Sequence, residues 1–176
     1  MKIQMYRKAY GFVIMIILTL IATNCTDEWD KHYENTEKTA DVNLWDTLNT
    51  IEKYSEFLYY MKLFNLDTVI RSPNTKTLFI PNNEAFSEYL KGDTTGSKVT
   101  MQYHISPSYF MIRNVHDKYK LKTLNEKYAL IENFDNVFYV DGIEITNFSP
   151  LFLDGKYYEI ARVVKPKSNL YEHLKW

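Results

Sequence analysis

The chain has 176 residues with 21 basic and 22 acidic side chains, a formal charge of −1. That balance gives no basic excess for phosphate contacts and so disfavours nucleic acid as a partner. A single cysteine excludes any disulfide within the chain.

The first ten residues carry Lys2, Arg7 and Lys8 and no acid, and Phe12–Ala22 follows as an apolar run of eleven residues. A membrane-spanning helix needs about 20 apolar residues, so this run fits the core of a secretory signal. Ile21-Ala22-Thr23-Asn24-Cys25 closes the segment. It resembles the lipobox of bacterial lipoproteins, with Asn24 where that pattern usually has a small residue. The resemblance implies that Cys25 is acylated and becomes the mature N-terminus. Several acyl chains anchor stably, at roughly 0.8 kcal/mol per buried methylene. Thr26-Asp27-Glu28 and Asp30 then resemble the surface-export signal of Bacteroidetes-type lipoproteins. Residues 1–24 are therefore read as a signal peptide and 25–43 as a polar tether. Without the signal, 18 basic side chains face 22 acidic ones in 152 residues, enough for one domain with a sound core.

From Leu44 the pattern changes. Leu44, Leu48 and Ile51 recur at helical spacing with Asn43 as N-cap, and Ser55 is placed to cap a second helix bearing Leu58 and Met61. A short element through Leu66, Val69 and Ile70 ends at Ser72-Pro73-Asn74. Thr77–Ile80 reads as a buried strand stopped by Pro81. Asn82 or Asn83 caps the next helix, which buries Ala85, Phe86, Tyr89 and Leu90, with Glu84 in its first turn. Residues 91–97 connect it to a helix through Val99, Tyr103 and Ile105.

The C-terminal half is strand-like. Asp141-Gly142 joins Val137–Val140 to Ile143–Thr146, a strong two-residue hairpin signal, and Asp154-Gly155 repeats it before Tyr157–Val164. In the latter stretch Tyr158, Ile160 and Val164 alternate with Glu159 and Val163, as on a partly exposed antiparallel strand. Pro166 ends it, and Leu170–Leu174 forms a last helical turn. Helices first and meandering strands later indicate an α+β fold with an antiparallel sheet.

These segments resemble the fasciclin domain over residues 44–176. Thr77-Leu-Phe-Ile-Pro-Asn-Asn-Glu-Ala-Phe86 is similar to its first signature block, Tyr103-His104-Ile105 to its Tyr-His block, and Asp154–Pro166 to its second signature. Tyr158 and Asp154 there occupy places of a histidine and an asparagine. The resemblance implies N-terminal helices packed on a β-sheet wedge, and a link of Tyr103 and His104 to adhesion.

The residues themselves point to no catalyst. His32, His104, His116 and His173 show no metal spacing, and no phosphate loop or nucleophile elbow occurs. No cofactor is expected. His104 reads first as a hydrogen-bonded core histidine, and Asp141 and Asp154 as turn residues. Tyr54, Tyr59-Tyr60 and Tyr157-Tyr158 serve packing first, and sugar stacking or protein docking second. The leading function is an outer-membrane lipoprotein, more on the cell surface than on the periplasmic side. It would bind or adhere without catalysis and take an envelope protein or glycan as partner, as accessory parts of nutrient-uptake systems do. A surface glycan hydrolase using two of Glu132, Asp135 and Glu144 is the alternative, and a ligand-free spacer the third reading. The oligomeric state stays open.

Overall fold

The computed structural model describes residues 39–92 and 97–167. Cys25, the Trp29–Tyr33 stretch and the expected turn at Leu170–Leu174 lie outside the described residues. Among the described residues, no helix is long and apolar enough to cross a membrane.

The helical half contains α1 (Leu44–Leu48), α2 (Ser55–Leu63), α3 (Asp67–Ile70), α4 (Asn83–Gly92) and α5 (Lys98–Tyr103). The strands are β1 (Thr39–Ala40), β2 (Lys76–Pro81), β3 (Ile105–Ser106), β4 (Lys118–Lys122), β5 (Tyr128–Phe134), β6 (Val137–Val140), β7 (Ile143–Phe148), β8 (Leu151–Phe152) and β9 (Gly155–Ile160). They form one sheet of nine in the order β1-β8-β9-β7-β6-β5-β4, with β2 added on β9 and β3 on β2. The fold is α+β as expected, but the sheet is mixed. β2 runs parallel to β9 from Lys76↔Gly155 to Pro81↔Ile160, and β1 runs parallel to β8. The meander β4 to β7 is antiparallel throughout.

β9 corrects the expectation of a partly exposed strand. All six of its residues are buried. β2 occupies one of its edges and β7 the other, and a hydrophobic cluster covers each face. Tyr157 packs into the first cluster, with Leu44, Leu48, Phe57, Met61, Leu78, Ile80 and Phe86. Tyr158 and Ile160 pack into the second, with Phe79, Ile131, Val140 and Ile145. Glu159 reads as a solvent marker in the sequence, yet it points among the helices. Its carboxylate accepts from the Tyr54 hydroxyl at 2.8 Å and from Lys53 Nζ at 2.6 Å. Burial, then the adjacent Glu159, hold the Tyr54 hydroxyl well above the ordinary tyrosine range.

The helix starts show which caps a sequence can reveal. Asn43 precedes α1 but its side chain makes no capping hydrogen bond. The Leu44 amide instead donates to Asp154 Oδ1 at 2.7 Å, across 110 residues. Ser55 is the first residue of α2 rather than its cap. The Glu56 amide donates to Asn83 Oδ1 at 3.0 Å, so the α2 cap comes from α4. Asn82 does cap its own helix, accepting from the Ala85 amide at 2.9 Å. Adjacent asparagines thus start two different helices.

Two further elements differ from their expected form. Ile105 belongs to β3, not to α5, and Val99 is exposed; α5 buries Thr100, Met101 and Tyr103 instead. Upstream of Leu44, in the stretch read as tether, Thr39–Ala40 adds a strand to β8, and the Leu153 amide donates to Val42 O.

Candidate functional site

Tyr103 and His104 end α5, and both are buried. The Tyr103 hydroxyl lies 2.9 Å from Tyr128 O and 2.8 Å from Asp141 Oδ2. His104 Nδ1 donates to Thr100 O at 2.8 Å, and Nε2 accepts the Val164 amide at 3.3 Å. That pattern needs a neutral ring with its proton on Nδ1. Burial pushes the His104 pKa down to about 4, against the smaller opposing pull of the Thr100 carbonyl. In this arrangement the pair ties the C-terminal segment and the Asp141 turn to α5, and neither ring meets solvent.

Two of the carboxylates considered for hydrolysis, Glu132 and Glu144, both stand opposite Tyr139, on β5 and β7, so β6 lies between them. Lys118 Nζ lies 3.1 Å from Glu132. Asp135 sits at the β5–β6 turn with a left-handed φ of 51°. Among the described residues, no group of three or more His, Cys, Asp or Glu side chains is placed to hold a metal.

Asp141 and Asp154 are turn residues, as expected, and both also bind through their carboxylates. Asp154 Oδ2 lies 3.5 Å from Lys76 Nζ, a side chain only 2% exposed. The same ammonium donates to Ile70 O at 2.8 Å and to Ser72 O. Burial lowers the Lys76 pKa, and Asp154 pulls it back up.

The tyrosines divide into two groups. Tyr54, Tyr157 and Tyr158 are core residues; the Tyr158 hydroxyl accepts from the Ile112 amide at 3.0 Å and donates to Phe110 O at 2.9 Å. Tyr59 and Tyr60 line a shallow groove of about 670 Å³ between α2 and α4, with Ser55, Glu56, Ser87, Leu90 and Lys91. Tyr59 is 61% exposed. It is braced edge-on by Tyr60, at 5.4 Å between centroids, and Tyr60 rests on Phe86 at 5.1 Å. Glu56 Oε2 accepts from the Ser87 hydroxyl at 2.8 Å, which fixes the carboxylate at the groove wall. An apolar floor with a polar rim suits a ligand that is itself apolar on one face and polar at its edges. Helical spacing reveals the buried side of α2, but the groove depends on how α4 lies across it, so no local pattern discloses it.

Residues 52–166 match the family described as Fasciclin domain. The chain belongs to that family. Fasciclin domains are associated with adhesion and binding, are generally not enzymes, and are typically extracellular or at the cell surface. Among solved structures, the fold is similar to that of a FAS1 domain pair from the insect cell adhesion molecule fasciclin I, at 16% identity and a TM-score of 0.52. The match covers 64% of this chain and 45% of that one, so the chain spans less than half the length of the domain pair. No curated protein matches the sequence.

Proposed function

We propose that this fasciclin domain is the binding head of an outer-membrane lipoprotein, acylated (palmitate included) at Cys25 after loss of residues 1–24. It sits on the cell-surface side and serves a glycan or nutrient uptake system as a non-catalytic accessory. The observation that carries the binding role is the braced, exposed Tyr59 over the groove between α2 and α4. A pyranose ring offers one apolar C–H face to stack on an aromatic ring, and hydroxyls at its edge for Glu56 and Ser87. The anchor rests on the sequence around Cys25, and the acidic residues that follow it support surface display.

Two measurements test the reading. Fractionation of cells should find Cys25→Ala released from the membrane, and mass spectrometry of the wild type should find an acylated N-terminal cysteine; an unmodified N-terminus removes the anchor. Calorimetry with neutral oligosaccharides such as mannohexaose and xylohexaose should show binding that falls tenfold or more in Tyr59→Ala, as loss of about 1.4 kcal/mol gives. Equal binding by that variant removes the groove.

A further inference from the structure

The outer face of the β4–β7 meander, opposite the second hydrophobic cluster, is organised in rows. Strand register puts Lys118, Glu132, Tyr139 and Glu144 in one line across four strands. The next row toward the β5–β6 turn holds Phe134 opposite Val137, exposed by 70% and 38%. Asp135 and Asn136 make that turn with left-handed φ values of 51° and 64°, so its geometry places no demand for a phenylalanine beside it. Lys118, Lys120 and Lys122 all stand exposed on the edge strand β4. Lysines on an edge strand discourage further strand pairing along that edge. They leave the face itself open, with an exposed apolar pair at its hairpin end and a row of charges and a tyrosine across its middle.

We propose that this face joins two copies of the chain, related by a two-fold axis running parallel to the strands between β5 and β6. The charge pattern selects that axis. Rotation about it lays β4 of one copy over β7 of the other, so Lys118, whose ammonium lies 3.1 Å from Glu132 of its own chain, also faces the second copy's Glu144, and the symmetry repeats the pair. In the same operation Glu132 faces the second copy's Tyr139 hydroxyl, and Phe134 faces its Val137. An in-plane axis perpendicular to the strands would set the β4 lysines against each other. Sheets packed this way lie about 10 Å apart, at a distance their facing side chains fill. β1, which receives the N-terminal segment, stands at the far end of the strand order from β4. The contact therefore leaves that end of the sheet clear in both copies.

Sedimentation of the full chain in mild detergent, across the micromolar range, tests the proposal. The wild type should sediment as a dimer and Phe134→Asp as a folded monomer, with circular dichroism as the check on folding. Lys118→Glu and Glu144→Lys should each weaken the dimer roughly tenfold or more. An equimolar mixture of those two variants should recover it, because each mixed dimer then holds two opposite-charge pairs. A wild type that stays monomeric overturns the proposal. So does a dimer indifferent to Phe134→Asp, or a mixture no stronger than its parts.

Discussion

The two Asp-Gly turns carry one sequence signature and have opposite mechanical roles. At Asp141-Gly142 both residues have positive φ, 49° and 78°, as a tight two-residue hairpin requires. A Cβ built on Gly142 would meet nothing within 4 Å. Among the described residues, the Asp141 carboxylate meets the Tyr103 hydroxyl at the end of α5, the Leu130 amide and Lys167. At Asp154-Gly155 the aspartate closes the turn after Leu153, and the glycine opens β9, paired with Lys76 of β2. A Cβ on Gly155 would lie 2.1 Å from Lys76 O, and φ there is 144°. Its aspartate starts α1 and balances a buried lysine. One turn shapes a hairpin. The other joins the first helix, the α3 end and the two central strands at one point.

The contrast can be broken most sharply at the glycines. Gly155→Ala should cost roughly 4 kcal/mol or more, because a backbone carbonyl cannot yield as a flexible side chain does; chemical denaturation would measure it. A loss under about 1 kcal/mol would show that β2 and β9 can part there. Asp154→Ala should cost about 3–5 kcal/mol, the usual result of leaving a buried charge without its partner. The loss should shrink in Asp154→Ala/Lys76→Met, where no charge is left behind.

Acid probes the other turn's neighbourhood through His104. Its folded pKa of about 4 lies below the ordinary value of 6.5. The unfolded chain therefore binds the extra proton first as pH falls. Stability from this group is complete above about pH 6.5 and declines between 6.5 and 4, by roughly 3 kcal/mol in all. Denaturation midpoints across that window should fall for the wild type and flatten in His104→Gln. Smallest of all, Gly142→Ala should cost about 1–2 kcal/mol, the penalty of a left-handed residue carrying a Cβ where nothing clashes.

This difference between the turns also marks what the sequence can show. The Asp141-Gly142 hairpin, the strand expected at Thr77–Ile80 and found at Lys76–Pro81, and the Asn82 cap are written in neighbouring residues. The second hairpin is legible too, but its turn is Leu153-Asp154, with Gly155 already in β9. The reach of Asp154 to Leu44, of Asn83 to Glu56, and of Glu159 to Tyr54 spans 110, 27 and 105 residues. Nothing local distinguishes such an acid from a solvated one, which is why β9 reads as half-exposed. β4 gives little signal because Lys118-Tyr119-Lys120-Leu121-Lys122 buries only Leu121. The candidate site was legible in part: Tyr59-Tyr60 stands out by composition, but Tyr103 and His104 drew notice through the family block and lie inside the fold.

The neighbouring asparagines Asn82 and Asn83 have a kinetic consequence. One holds the start of α4 and the other the start of α2, two residues of the same short stretch. Fraying of either helix start pulls on the backbone that secures its neighbour. Amide exchange in the first turns of α2 and α4 should therefore proceed as one opening event with a shared rate. A ligand settling between them would slow both together.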